Sequence, residues 1–344
     1  MLQRSNSICF LGAWLDACAM WRLWLPHLNH TGSSFFVFTD KPDWNKISGC
    51  DVAVVQRCCT QPQFDFIKTC RALEMKVVYE LDDDIFDIPP ENPAADILHR
   101  YAEGFRHCMR AVDVLSVSTR TLAKALRKQV RCLTNAQTGK EIPIIITENR
   151  LDERVLSKPL INAERLIIGW QGSTSHRGDL LLVEEAIAKL AKEYPKVEFQ
   201  FRGLEPPFSL RDVPNVVHHF WMPVAEYFAR YPQWGWSIAI APLTDHSFND
   251  AKSCIKMIEA AYCKIPCLAS WVRPYDEFCS RDPELRWLLC AGKSSFEPKL
   301  RTLINEPEMR TELGNRMYKV MKEHYSWEKP HEGWQLVLDT VKSI

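Results

Sequence analysis

The chain has 344 residues, with 43 Lys plus Arg balanced by 43 Asp plus Glu. A content of 46% hydrophobic and 25% charged residues excludes disordered, collagen-like and coiled-coil chains, and the zero net charge excludes a uniformly basic binder. At ~150 residues per domain the length predicts two domains, and with only 13 glycines any ligand site must use few glycine turns.

The N-terminus imitates a secretion signal, with Arg4, an apolar run from Ile8 to Leu15 and the small residues Ala17, Cys18 and Ala19. Asp16 interrupts the run and Met20 to Pro26 continues it as an amphipathic helix, so no signal peptide is expected. No uncharged apolar stretch approaches the ~20 residues of a membrane span. The 13 cysteines are scattered from Cys9 to Cys290 with no paired C-x-x-C spacing near histidines. A chain long enough to bury its own core needs no disulfide scaffold, so they read as reduced core thiols in a cytoplasmic setting.

Short β-branched and aromatic runs alternate with helical patterns throughout, the signature of βα units on parallel sheets. The first set of expected strands is Ser7 to Gly12, Phe35 to Thr39, Val52 to Gln56, Val77 to Glu80, Val114 to Ser118 and Ile144 to Thr147. After the polar segment Glu148 to Arg154 comes a second set: Leu166 to Gly169, Val197 to Phe201, Val216 to Phe220, Ser237 to Ala241, Cys267 to Ser270 and Leu288 to Cys290. The α/β reading is therefore two doubly wound, Rossmann-like domains, 1–155 and 160–323, with a boundary between 150 and 164. Three helical stretches are expected beyond Phe296, and residues 324–344 form a closing segment. Two such domains facing each other place a cleft at the carboxyl ends of both sheets, where these folds bind ligands.

Strand-end loops are therefore where chemistry is sought. Leu81-Asp82-Asp83-Asp84 reads as a metal site, a solvated loop, or acceptor-side general-base work by Asp83 and Asp84 at the cleft mouth. Gly169 to Leu180 leaves a strand through Gly172, which permits close backbone approach, and Ser173 and Thr174, which can donate to phosphate. The third loop, Pro242 to Asn249, leads into a helix. With Lys252 at zero and 100° per residue, Lys256 and Glu259 share its face, while Ile255, Ile258 and Tyr262 form an apolar stripe. Lys252 and Ser253 are expected in the first turn, where free N–H groups favour an anion; a solvated face with a Lys256–Glu259 pair explains the same pattern. Glu259, further along, would suit paired ribose hydroxyls. Gly292-Lys293-Ser294 lacks the earlier glycine of a P-loop and no G-x-G-x-x-G occurs, which argues against nicotinamide or flavin.

On Ala241-Pro242-Leu243, Phe248-Asn249, Lys252-Ser253, Lys256, Glu259 and Ile265 to Ser270, the chain resembles glycosyltransferases of the GT-B fold, family 4-like, of bacterial and phage type. Ile168 to Leu180, Tyr79 to Phe86 and Tyr325-Ser326-Trp327-Glu328, which looks like the start of a closing helix crossing back to the first domain, extend the likeness over most of the chain. The resemblance implies a nucleotide-sugar donor held by the second domain, an acceptor held by the first, retention of configuration and no obligatory metal or other cofactor. It assigns Lys252 to catalysis at the diphosphate, with Arg177 and Lys256 beside it. One departure stands out: the family commonly carries two glutamates eight positions apart, and Glu259 matches the second while position 251 is Ala. Asp245 and Asp250 are the possible substitutes.

Arg22 and Arg57 are expected at the cleft edge, facing an anionic acceptor. Among related proteins such acceptors include surface glycans and hydroxymethylated pyrimidines in DNA. Neutrality is local cancellation: Glu80 to Asp96 holds seven acids and no Lys or Arg, whereas Ile97 to Arg131 holds eight bases against two acids. The competing readings are a catalytically inactive nucleotide-sugar-binding or partner-binding protein, motivated by Ala251, and a sugar-nucleotide epimerase.

Overall fold

The computed structural model describes residues 7–13, 15–38, 41–130, 133–160 and 165–344. Arg4, Thr39, Arg131 and positions 161–164 of the expected boundary lie outside the described residues. All twelve expected strands form: β1 Ile8–Gly12, β2 Ser34–Val37, β3 Val52–Gln56, β4 Lys76–Leu81, β5 Val114–Val117, β6 Ile144–Ile146, β7 Ile167–Gly172, β8 Glu198–Gly203, β9 Val216–His219, β10 Ile238–Ala241, β11 Cys267–Ser270 and β12 Leu289–Cys290. They make two parallel six-stranded sheets, ordered β2-β1-β3-β4-β5-β6 and β12-β11-β10-β7-β8-β9. The central strands β1, β3, β10 and β11 are buried along their whole length. Helices cover both faces of such sheets, so strand sequences read as unbroken apolar runs. The twelve described cysteines are all free thiols, six of them buried within strands or helices as small apolar side chains. No helix among the described residues is long and apolar enough to cross a membrane.

The chain returns to its first domain at the end. The segment after helix Pro307–His324 pairs with the interdomain crossing, with Leu151 N–H donating to Tyr325 O at 2.7 Å and Trp327 N–H to Leu151 O at 3.0 Å. Tyr325 to Glu328 is therefore not the start of the last helix, as expected, but a bend and turn pinned by a single bridge between Ser326 and Leu151; the helix spans Glu332–Ser343. Its Trp334, Val337 and Val341 pack with Phe10, Val54 and Val114 of the first sheet. A Cβ on Gly333 would lie 2.1 Å from Ile146 O, so only glycine allows this helix to approach β6 so closely.

The two domains also interlock at the cleft. Trp21, from the helical segment after β1, joins the apolar cluster of the second domain and meets the Phe228 ring at 5.8 Å. Reciprocally, Ala251 joins the apolar cluster of the first domain, and Thr119 Oγ1 donates to its carbonyl at 2.7 Å.

Arg22 corrects an expectation. It lies not at the cleft edge but 2% exposed, on a π-helical turn Met20–Trp24. Its Nε donates to Glu80 Oε1 at 2.5 Å, Nη2 to Thr147 Oγ1 at 2.6 Å and Nη1 to Asn149 Oδ1 at 3.0 Å and to Thr147 O. Burial pushes the Glu80 carboxyl up, and the Arg22 charge together with the Gln56 amide draws it back toward the ionised form. Arg22 thus ties the first helix to β4 and to the end of β6. Replacing it with Met leaves Glu80 buried without its counter-charge, held only by the Gln56 amide, and the expected loss is about 3–5 kcal/mol. Chemical denaturation of Arg22→Met measures this; a midpoint equal to that of the unmodified chain would contradict the clamp.

Candidate active site in the interdomain cleft

In an open parallel sheet, a crevice forms where strand order reverses, because the loops on either side diverge to opposite faces. The first sheet reverses between β1 and β3, and the second between β7 and β10. Loops from both reversals meet in a cavity of about 270 Å³, to which the first domain contributes Cys18, Trp21, Asp82 and Asp83.

The second domain supplies the cations. The loop after β10 forms a short helix, Ser247–Ala251, that stops where Thr119 takes the Ala251 carbonyl; Lys252 is extended, at φ −63° and ψ 168°. The next helix is Ile255–Tyr262. Lys252 and Ser253 therefore precede the helix instead of forming its first turn, because a contact from the other domain ends the pattern early. Lys252 Nζ lies 3.5 Å from Asp83 Oδ1 of the first domain and 4.3 Å from the Phe248 ring centroid. Lys256 Nζ donates to Gln171 O at 2.5 Å and faces the cavity. Glu259, 5% exposed, accepts from Gln171 Nε2 at 2.8 Å, and the same amide donates to the Tyr227 hydroxyl at 3.0 Å. Burial pushes the Glu259 carboxyl up and the Lys256 ammonium down, each opposed by the other's charge.

Gly172 and Ser173 line the same cavity. A Cβ on Gly172 would lie 2.6 Å from the Trp170 ring, so this loop accommodates no larger residue without a shift. His176 Nδ1 sits 2.8 Å from Asp179 Oδ2, and Asp179 Oδ1 accepts from Thr244 N and Oγ1 at 2.7 and 3.0 Å. Burial, then the Lys256 charge, lowers the His176 pKa to about 4. The ring is neutral near pH 7, and the bond to Asp179 assigns the proton to Nδ1, leaving Nε2 as an acceptor.

Cys18, Asp82 and Asp83 approach one another closely enough to suggest a metal centre. The position is filled by a guanidinium: Arg57 Nη2 lies 2.9 Å from Cys18 Sγ, 2.5 Å from Asp82 Oδ1 and 3.2 Å from Asp83 Oδ2. Burial raises the Cys18 thiol well above its ordinary range. Arg57 has φ 50°, a strained conformation for a residue with a side chain, held by this network.

Of the residues expected from the sequence, Asp83, Gly172, Ser173, Lys252, Lys256 and Glu259 line this cavity. Arg57, expected at the cleft edge, is outside the lining and is engaged by Asp82 and Asp83. Asp84 is 1% exposed and turned into the first domain, accepting from Phe86 N and Gln129 Nε2 at 3.2 Å each, because neighbouring side chains at a strand end point apart. Thr174 and Arg177 are exposed and outside the lining. Ser253 accepts from Asn149 Nδ2 at 2.7 Å and lines a second cavity. Asp250 accepts from Arg273 N at 3.0 Å and, like exposed Asp245, lines neither. Sequence reasoning missed the aromatic wall. Phe220 and Trp221, 81% and 64% exposed, stand at the mouth, and Arg202 stacks on Trp234 at 4.3 Å. The one signal was the run of large side chains in Phe220-Trp221-Met222, placed at a strand end.

No family model and no curated protein sequence matches the chain. Among solved structures, sucrose-phosphate synthase from Thermosynechococcus elongatus is similar over 98% of this chain and 99% of its own, at TM-score 0.67 and 11% identity. Anabaena HepE in complex with UDP-glucose is similar over 98% and 100%, at TM-score 0.67 and 12% identity. The pneumococcal O-GlcNAc transferase GtfA in complex with UDP and GlcNAc is similar over 84% of this chain and 56% of its own, at TM-score 0.54 and 14% identity. The chain has the GT-B fold of two facing Rossmann-like domains.

Burial brings the Lys256 pKa down to about 8. Anion binding to this cavity favours the charged ammonium, so affinity falls as pH rises through about 8, whereas an ordinary lysine would hold its proton to ~10.4. Titration with sulfate, whose charge is constant over this range, measures the effect. Lys256→Met should bind more weakly and flatten the profile; a pH-independent affinity in the unmodified chain contradicts the assignment.

Proposed function

We propose that the protein is a glycosyltransferase that takes a sugar from a nucleoside diphosphate sugar bound in this cavity and transfers it to an acceptor hydroxyl. The observation that carries the reading is the convergence of Lys252, Lys256 and Glu259 at the strand-order reversal of the second sheet, beneath an aromatic wall. Two cations suit a diphosphate. Glu259, fixed by Gln171, suits the paired hydroxyls of a ribose, and Trp221 with Phe220 offers faces on which a base stacks. The full-length likeness to HepE, crystallised with UDP-glucose, supports a uridine nucleotide donor.

In the transfer, the acceptor oxygen bonds to the anomeric carbon as the carbon–oxygen bond to the diphosphate breaks. The bonding pair leaves with the diphosphate, whose charge grows, and the acceptor's proton passes to the departing phosphate oxygen. That route keeps both partners on one face of the sugar and retains configuration. Lys252 and Lys256 stabilise the developing charge without reorganising. Asp83, bound to Arg57 and Lys252 from the opposite side, orients Lys252. The Arg57 guanidinium already in the acidic pocket favours a metal-independent reaction.

Ala251 motivated the reading of an inactive binder, but its side chain is fully buried in the first domain's apolar cluster and outside the cavity. The missing carboxylate removes nothing from the wall described here. On the acceptor side, exposed Arg120, Lys124, Arg127 and Lys128 share one face of helix Arg120–Gln129, and of these Arg127 pairs with Glu141. This basic face favours an anionic acceptor.

Nucleotide release from UDP-, GDP- and ADP-sugars, with and without acceptor, tests the activity; stabilisation by nucleotide with no turnover under any acceptor contradicts it. Lys252→Ala should lower turnover ~100-fold, on the order of 3 kcal/mol, and unchanged transfer would remove Lys252 from the reaction. Glu259→Gln should chiefly weaken donor binding, seen as a raised KM with kcat little altered. An unaltered KM would remove its ribose role.

A further inference from the structure

Behind Lys252 lies a second cavity between the domains, of about 410 Å³. Lys252 lines both cavities, so the two spaces share one wall at the residue that would touch the departing diphosphate. The composition of the rear cavity is different. It has no tryptophan, and its charged lining is Arg120 and Glu148 from the first domain and Lys252, Glu277 and Arg281 from the second.

Arg120 opens helix Arg120–Gln129, and Arg281 follows helix Arg273–Cys279 on the opposite wall. Both guanidiniums are exposed at the cavity's opening, and among the described residues neither makes an ion pair or a side-chain hydrogen bond, although most other arginines in the chain do. The carboxylate of Glu148 is likewise unpaired, and that of Glu277 reaches only Arg273, at 4.0 Å. These groups nevertheless act on one another: burial raises the Glu277 carboxyl, Glu148 raises it further, and Arg273, Arg120 and Arg281 oppose the rise. Asn149 and Ser253, bonded across the domains at 2.7 Å, add polar groups to the wall.

Two unengaged arginines on facing domains match a planar or tetrahedral dianion, because each guanidinium can bind two oxygens at once. Free carboxylates and neutral polar groups beside them suit hydroxyls, which donate to Glu148 and Glu277. A ligand carrying both features engages both kinds of group, whereas a neutral sugar engages only the carboxylates and an inorganic anion only the arginines. We propose that this cavity is the acceptor subsite and takes a phosphorylated sugar or polyol, its phosphate held between Arg120 and Arg281 and its hydroxyls turned toward Glu148, Glu277 and Lys252. The acceptor role rests on the donor reading of the front cavity. The reacting hydroxyl then reaches the donor sugar past Lys252, and the phosphate stays at the far end, away from the diphosphate charge.

The test titrates a panel of hexose and pentose phosphates, each beside its neutral sugar, into the full chain by calorimetry. At least one phosphate should bind tenfold or more tighter than its neutral counterpart. Arg281→Ala and Arg120→Ala should each weaken it tenfold or more, and Arg281→Lys should recover part of the loss. The two arginines belong to different domains, so a shared loss is not the misfolding of one; the response to UDP in each variant reports the front cavity separately. The same phosphate should accelerate UDP release from the donor, with its KM raised in both alanine variants. Equal affinity for phosphorylated and neutral sugars overturns the proposal, as does phosphate binding untouched by both substitutions, or a single-stranded oligonucleotide outcompeting every sugar phosphate. If UDP and UDP-sugars gave no response while sugar phosphates bound in the arginine-dependent way, the donor reading would fail and the subsite would stand.

Discussion

The cleft is organised around a chain of alternating charge that crosses it: Asp82, Arg57, Asp83, then Lys252 from the other domain. Acids end β4 of the first sheet and cations follow β10 of the second, so when the carboxyl edges of the sheets face each other these loops are brought together with opposite sign. Arg57 is required in the middle, since two adjacent carboxylates at a partly buried strand end would otherwise repel. The Lys252–Asp83 contact, with side chains 19% and 28% exposed, is worth little as a stabilising pair. Its importance is positional. It fixes a flexible lysine at the junction of two cavities.

What holds the halves in that relation is apolar. Trp21 and the residues around it pack in the second domain's core, Ala251 packs in the first domain's, and Phe248 meets Ile88 and Ala95. The closing helix Glu332–Ser343 adds a covalent return, so the chain crosses between domains twice and the two crossings pair at Leu151 and Ser326. An ion pair across a cleft can be exchanged for a ligand, whereas these apolar contacts persist; the charges are therefore free to serve binding.

The central strands were legible because they are buried on both faces and bounded by turn residues, which leaves little ambiguity in short runs such as Val52 to Gln56, and the half-exposed edge strands β2 and β9 kept enough aromatic and β-branched residues to be found. Two switch points, and hence the place of the cleft, followed from two sets of strands. The failures share a cause: a partner distant in sequence. Arg22 looks like a surface arginine until Glu80 and Thr147 are beside it. The helix at Lys252 starts late because Thr119, more than a hundred residues earlier, takes the Ala251 carbonyl. Asp83 and Asp84 are equivalent in composition, and only the backbone at the end of β4 decides which of them faces the cleft. Helical spacing and the family resemblance both pointed to Lys252, Lys256 and Glu259, but neither carried information about His176, Arg202, Phe220 or Trp221.

Lys252 has one ammonium and three claims on it: Asp83, the Phe248 ring, and the anion that the front cavity is built to hold. A diphosphate carries more charge than a carboxylate shared with Arg57, so donor binding would draw the ammonium toward the phosphates and leave Asp83 to Arg57. Arg57 keeps that carboxylate compensated in either state. The charge chain is thus arranged so that its outer link can change partners without leaving an unpaired group behind. Under the proposed chemistry, the same lysine forms the wall that a donor sugar and an acceptor must both approach. Occupation of the front cavity would then determine the charge presented to the rear one, which couples the two binding steps through a single side chain rather than through a movement of the domains.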